Sequence, residues 1–423
     1  MKNLKKLVVV AFVLIFATGI MFASGASEKS DKTEIRVLTK WPEELIAPYW
    51  QEQKEIFEAS HPNVEIVYEH VADEPIKEKL RVMLGGGDVP DIFFSWSGEF
   101  LGKFVRSGAA LDISDYYAND SAWKNSFIPS TISDGSYDGA YYGVPIRFSA
   151  KFFCYNTELF AKAGITEKPS TWTEFIADLE KLKANNITPI LMGNSSPWVA
   201  CHYLTTLNEK YVPLDVLKKD YSLEVGAFTD PGYIQALQTL YDLTKYMNDS
   251  PNSTQNTAAR EMFYAGQGAI HYDEIVSFEK RLNANMTSDW DFFPCPTIEG
   301  ANGNQDYITG AADLFLVSSK SENKDLSVEF LKQITSAENA QKWSDITGYP
   351  SGVNSVKYSG KIQAGVNLIN NAEGFATWLD TATPASVADV YLANLQLLID
   401  GSKTPSQIMQ EVQKEAARAK SEL

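Results

Sequence analysis

Along the chain, short apolar runs alternate with stretches in which apolar residues recur every three or four positions. "TEIRVLTKW" (33–41) and "NVEIVYEHV" (63–71) read as strands, and "ELIAPYWQEQKEIFEASH" (44–61) between them as a helix. In "PIKEKLRVML" (75–84), Ile76, Leu80 and Leu84 fall four apart, on one face of a helix, and Gly85 sits where that helix would stop. "DIFFSW" (91–96) follows as a strand and "EFLGKFVRSG" (99–108) as a helix ending near Gly108. This alternation predicts a parallel sheet covered by helices. Later helices carry start signals. Thr171 and Glu174 have capping-box spacing, Asp230 caps a helix with Pro231 at its first position, and Thr404, Pro405 and Gln407 combine both devices. Asp138-Gly139 predicts a hairpin turn between tyrosine-rich strands.

The first 26 residues stand apart. A basic head (Lys2, Lys5, Lys6), an apolar run from Leu7 to Phe22 and then small residues form the layout of a secretory signal peptide. Cleavage is the preferred reading over an anchor, because the run is shorter than the ~20 residues of a spanning helix. No lipobox cysteine is near, so a lipoprotein anchor is not supported, and the expected location is periplasmic or extracellular. At 423 residues the chain is long enough for two domains. A net charge of −17 argues against nucleic acid as a partner. Three cysteines (Cys154, Cys201, Cys295) are too few for a disulfide scaffold, and four scattered histidines give no zinc signature. The expectation is therefore no metal and no cofactor.

"LGGGDVPDIFFSW" (84–96) raises a choice between a phosphate loop and something else. A phosphate loop needs strand, glycines, then helix, so that helix N–H groups face the anion. Here the order is helix, Gly85-Gly86-Gly87, strand, and no Gly-Lys-Ser/Thr follows, which removes the phosphate reading. The glycines end a helix. The strand delivers Trp96 to the carboxyl end of a sheet, where open α/β folds bind ligands, and Trp41 stands at another such end.

"GGGDVPDIFFSW", "YGVPIRFSAKFFCYNTELFAKAGI", "MFYAGQGAIHYDEIVSFE" and "DYITGAADLFLVSSKSENKDLSVEFLKQITSAENAQKW", in this order behind a signal peptide, resemble the sugar-binding group of extracellular solute-binding proteins of ABC importers, family 1. The resemblance implies an α/β fold of the periplasmic-binding-protein type II, with two hinge-linked lobes and a ligand cleft between them. It implies an N-terminal lobe of 27–148 plus 273–314 and a C-terminal lobe of 149–272 plus 315–423. The hinges fall near Arg147-Phe148-Ser149, His271-Tyr272-Asp273 and Gly310 to Phe315.

A sugar needs aromatic rings for its C–H faces and carboxylates, amides or Arg for its hydroxyls. Trp41, Trp96, Trp198 and Trp378 are the candidate rings. Glu44, Ser97, Glu99, Arg147, Asp273, Glu274 and Asp313 are the candidate polar groups, with Gly310 at a crossing and Tyr349 in a loop that reaches the cleft in the family. Each has a structural alternative: Arg147 as a hinge ion pair, Glu44 and Glu99 as charges at helix starts, Trp378 as core. Trp343, in a helix-like run, reads as core. The implied function is capture of a mono- or oligosaccharide by a monomer for delivery to ABC permease subunits, with no catalytic residue and no enzymatic activity. Two alternatives stay open: a secreted carbohydrate-active hydrolase, for which no nucleophile elbow or His-Glu-x-x-His is present, and the same fold binding a non-sugar solute.

Overall fold

The computed structural model describes residues 32–41, 44, 46–222 and 226–422; the signal-like segment 1–26 lies outside them. Eleven strands are present among these residues: β1 (Thr33–Thr39), β2 (Val64–His70), β3 (Ile92–Trp96), β4 (Ser136–Tyr137), β5 (Ala140–Tyr141), β6 (Gly143–Asn156), β7 (Ile190–Leu191), β8 (Ile270–Glu274), β9 (Trp290–Phe293), β10 (Ile308–Val317) and β11 (Phe375–Ala376). Nine of them form one sheet in the order β2-β1-β3-β10-β6-β8-β7, with β9 on β6 and β11 on β10. The first three strands are parallel, as the alternation of elements predicts. Then β10 inserts antiparallel between β3 and β6.

The local signals explain the elements. The helix Asp73–Gly86 runs two residues past the predicted stop and ends at Gly87, whose φ of +73° suits glycine. Thr171 with Glu174 and Thr404 with Gln407 form complete capping boxes. Asp230 accepts a hydrogen bond from the Gly232 N–H at 2.7 Å. Asp138 and Gly139 both have positive φ, the geometry of a tight hairpin turn between β4 and β5.

Strand β6 is buried at all 14 positions. Its first part, Gly143–Ala150, pairs with β10, and its second, Lys151–Tyr155, pairs with β8. The run is mostly apolar, as a strand covered on both faces requires, but it also buries Arg147, Ser149, Lys151 and Asn156. One core gathers Ile35, Trp50, Phe93, Phe104 and Phe315; a second gathers Phe175, Leu204, Leu237, Tyr391 and Val412. These are the two lobes, and β6 and β10 run between them.

The expected boundary at 314/315 does not follow the packing. Val328, Phe330, Leu331 and Trp343 share the first core with Ile35 and Trp50, because β10 runs out of the crossing into the first lobe and its helices dock there. The return to the second core comes later, at Leu379, Val387 and Tyr391. No described helix is long and apolar enough to cross a membrane.

Candidate functional site

A cleft lies where the two cores meet, on either side of the crossing strands. Register builds its floor. Asp313 on β10 pairs with Trp96 on β3 and with Arg147 on β6, so one rung of the sheet sets these three residues side by side. A register shift follows between Asp313 and Leu314. A further rung aligns Ala311 with Ser149, and on the other side of β6 Lys151 pairs with Glu274.

The inner part of the cleft encloses about 720 Å³ of atom-free space, part of it open to solvent. Three indoles line it: Trp96, Trp198 and Trp378. Trp198 starts the helix Trp198–Tyr211, and His202, one turn on, stacks on the Trp378 ring at 4.3 Å and 23°. The Leu379 N–H donates to Thr205 Oγ1 at 3.0 Å, which fixes the turn carrying Trp378 to that helix. Trp96 packs edge-on against Phe94 and Phe100, with the ammonium groups of Lys40 and Lys77 5.0 and 5.4 Å from its ring.

The charged groups of this inner part are paired with one another. Arg147 Nε donates to Asp313 Oδ2 at 2.5 Å, and Lys40 Nζ lies 3.5 Å from the same oxygen. Glu274 accepts from the Ser149 hydroxyl at 2.8 Å and faces Lys151 at 3.3 Å. Burial opposes ionisation of Glu274, but Lys151 and the Ser149 hydroxyl outweigh it and hold the carboxyl down at about 2. Asp380 meets Lys77 at 3.0 Å; burial again opposes its charge, and Lys77 keeps it below the usual carboxylate range. Burial, reinforced by Lys151, takes His202 down to about 3, so its ring is neutral.

Beyond the Trp198 side the cleft continues into an outer cavity of about 1630 Å³, which shares Lys40, Arg147, Trp198 and Glu274 with the inner part. Tyr349 and Trp41 face it. Arg147 bridges these two rings, its guanidinium 4.6 Å from Tyr349 and 5.4 Å from Trp41.

Of the residues expected at the site, Trp96, Trp198, Trp378, Arg147, Glu274 and Asp313 line the inner cleft. Trp41 is 2% exposed and packs among Trp50, Phe94, Phe315 and Trp343, so it is part of the wall of the first core rather than a stacking platform. Glu99 points away and pairs with Arg106, which takes the structural alternative stated for it. Glu44 is exposed and lines neither cavity. Ser97 is buried outside both, its hydroxyl without a partner. Asp273 is buried behind the wall, bound to Arg260 at 3.1 and 3.3 Å; burial disfavours its charge, and Arg260 prevails and holds it well below the usual range. Gly310 lines neither part of the cleft: a Cβ there would stand 2.3 Å from the Ser149 carbonyl oxygen. Lys40, Lys77, Ser149, His202 and Asp380 line the cleft without having been singled out in the sequence. His202 carried a signal, since it lies four residues after Trp198 on a helix; the two lysines carried none.

The lobes touch above the cleft. Gly98, at φ +71°, comes so close to the other lobe that an added Cβ would be 3.1 Å from both the Thr381 carbonyl oxygen and the Ala382 Cα.

Two α/β lobes, crossing strands and a deep cleft lined by indoles and paired charges define a solute-binding protein. The chain belongs to the bacterial extracellular solute-binding protein family, whose model matches residues 39–341. A binding protein of Brucella abortus is 34% identical over 158 residues, 37% of this chain and 38% of that protein, so the match spans well under half the length of that relative. The multiple sugar-binding protein of Streptococcus mutans is 25% identical over 335 residues, 71% of each chain. Among solved structures, a chitin oligosaccharide binding protein superposes with a TM-score of 0.83 at 22% identity, covering 92% of this chain and all of that one. A solute-binding protein in complex with raffinose gives 0.73 at 18% identity, covering 92% and 100%.

Proposed function

We propose that this chain captures a carbohydrate in the interlobe cleft, outside the cytoplasmic membrane, and delivers it as a monomer to the permease subunits of an ABC importer. The observation that carries the reading is the set of three indoles, Trp96, Trp198 and Trp378, around a floor of charges that already satisfy one another. Flat apolar rings suit the C–H faces of sugars, and paired charges offer fixed hydrogen-bonding groups without demanding a charged ligand. Relatives named for sugar binding support the same ligand class.

The cleft is poorly suited to hydrolysis. A glycosidase acid must hold a proton at working pH. Glu274 and Asp380 are instead kept ionised by the lysines beside them. The two carboxyls that burial pushes up to about 7, Asp134 and Glu209, do not line the cleft.

The test is a thermal-shift and calorimetric panel of neutral mono- and oligosaccharides on the mature chain. A ligand at about 100 times its Kd should stabilise the fold by about 2.7 kcal/mol. A panel in which no sugar raises Tm, or in which sugars are turned over rather than held, overturns the reading.

A further inference from the structure

The inner part of the cleft has a way out on one side and a lobe contact on the other. The inner and outer parts share Lys40, Arg147, Trp198 and Glu274, so the passage between them runs past these four residues. Lys77, Trp96, Trp378, Asp380 and Thr381 line only the inner part. There the lobes meet. Lys77 of the first lobe binds Asp380 of the second at 3.0 Å. Beside this pair, the Gly98 backbone packs against Thr381 and Ala382 closely enough to crowd even a methyl group. The helix Glu99–Arg106 starts directly after Gly98, and the short helix Leu379–Ala382 docks on it. Asp380 and Thr381 thus belong to the contact and to the cavity lining at once. The lobe contact is the end wall of the inner part.

That wall carries polar groups that the fold leaves unmet. Lys77 occupies Asp380 Oδ2, while Oδ1 is buried without a partner. His202 stacks on Trp378, two residues before Asp380, and its buried Nδ1 is also without a partner. An ionised carboxylate only accepts hydrogen bonds, so Asp380 calls for a donor, which a sugar hydroxyl supplies. On the other side of the passage, the outer cavity encloses about 1630 Å³, open solvent included. Pockets for small ligands span ~300–1,000 Å³, so a single sugar unit at the end wall would leave most of the cleft unfilled, and a chain of units would use it.

We infer that the inner cleft is a terminal subsite: it takes the end unit of an oligosaccharide, a free hydroxyl of that unit donates to Asp380, and the remaining units lead out past Trp198 into the outer cavity. The inference rests on the proposed carbohydrate reading and adds to it that the ligand is an oligosaccharide held by one end.

End-blocked ligands test it. Calorimetric titrations use cello-, malto-, xylo- and chitotriose, each in three forms: unmodified, coupled at the reducing end to 2-aminobenzamide, and methylated at O4 of the non-reducing unit. In a series that binds, blocking one end should lower affinity about tenfold or more, and blocking the other should change it by less than about threefold. Asp380→Ala should shrink the gap between the unmodified ligand and the form blocked at the sensitive end, because it removes both the acceptor and part of the wall. Tolerance of both blocks would mean a groove open at both ends, and loss from both would mean a pocket closed around the whole ligand. Either result, or a gap unchanged in Asp380→Ala, overturns the inference and leaves the carbohydrate reading standing. If no series binds in any form and the wider sugar panel also fails, both fall together.

Discussion

Lys77 Nζ lies 3.0 Å from Asp380 Oδ2, and the two residues are 303 positions apart. Lys77 belongs to the helix Asp73–Gly86, whose Ile76 and Leu80 pack in the first core; Asp380 follows Leu379, which packs in the second. The pair therefore spans the cleft and exists only when the lobes are together. The Asp380 carboxylate is buried, and its Oδ1 has no partner.

Loss of this bridge should loosen the closed state. Lys77→Met leaves a buried carboxylate uncompensated, which costs more than the bridge contributes. The expected outcome is a rise in ligand off-rate and a loss of affinity of roughly tenfold, about 1.4 kcal/mol. Asp380→Asn placed on top of Lys77→Met should recover part of it. Stopped-flow dissociation measures the off-rate, and scattering with saturating ligand measures closure. An unchanged off-rate in Lys77→Met would mean that the bridge is a surface contact without function.

The indoles should separate into two kinds. Trp96 is 8% exposed and wedged between Phe94 and Phe100, so Trp96→Ala removes core packing, for which large aromatic truncations cost about 3–5 kcal/mol. Trp198 is only half-buried, and Trp198→Ala should lower affinity at least tenfold at a much smaller cost in stability. Denaturation curves beside titrations decide it. Equal losses of stability in the two variants would contradict the assignment.

Two buried groups should give opposite pH signatures. Burial pushes Glu209 up to about 7 against the pull of Lys210 and Lys218, and one of its carboxylate oxygens has no partner. The folded chain then holds a proton that the unfolded chain has lost, so this group lowers stability as pH rises from about 4.5 to 7. His202 works in reverse: its ring is neutral down to about 3 while the unfolded ring protonates below 6.5, so its contribution falls as pH drops through that window. Each slope is at most about 1.4 kcal/mol per pH unit. Glu209→Gln should raise Tm increasingly between pH 5 and 7.5 and have little effect at pH 4. His202→Gln should flatten the acid side of the curve. Tm measured across pH 4 to 8 for the three proteins checks both signs.

What the sequence reveals follows from where each interaction lies. Alternation of strand and helix, caps and turn glycines are local, and they place Trp96 at a strand end and Trp198 at a helix start. Arg147, Asp313 and Glu274 were legible through the family motifs that hold the crossing strands. Lys40 and Lys77 were not, because a lysine in an unremarkable run reads as a solvated charge; Lys40 meets Asp313 on a strand far along the chain, and Lys77 meets Asp380 across the cleft. Glu99 misled for a different reason: its partner Arg106 lies on the same helix, and only the fold shows the carboxylate turned from the cleft. The boundary at 314/315 failed because the hydrophobic pattern of 324–356 suits either core; the direction of β10 decides which one it meets.

Two glycines should respond in opposite ways to the same substitution. Gly310 sits opposite Ala150 where β10 crosses β6, and an added Cβ would lie 2.3 Å from the Ser149 carbonyl oxygen and 3.1 Å from the Ala150 Cα. Backbone cannot yield as a flexible side chain would, so Gly310→Ala must push the two crossing strands apart. Overpacking of this kind costs about 1–3 kcal/mol. The displacement also reaches the cleft, because Ser149, Ala311 and Asp313 line it from these same strands. Gly85, within the helix Asp73–Gly86, has nothing within 4 Å of its added Cβ, so Gly85→Ala should stabilise by about 0.5–1 kcal/mol through helix propensity alone. Urea denaturation should therefore lower the midpoint for Gly310→Ala and raise it for Gly85→Ala, and ligand affinity should fall only in the former. A Gly310→Ala protein with unchanged midpoint and affinity would mean that the crossing strands can slide, and that their close approach is not what sets the cleft.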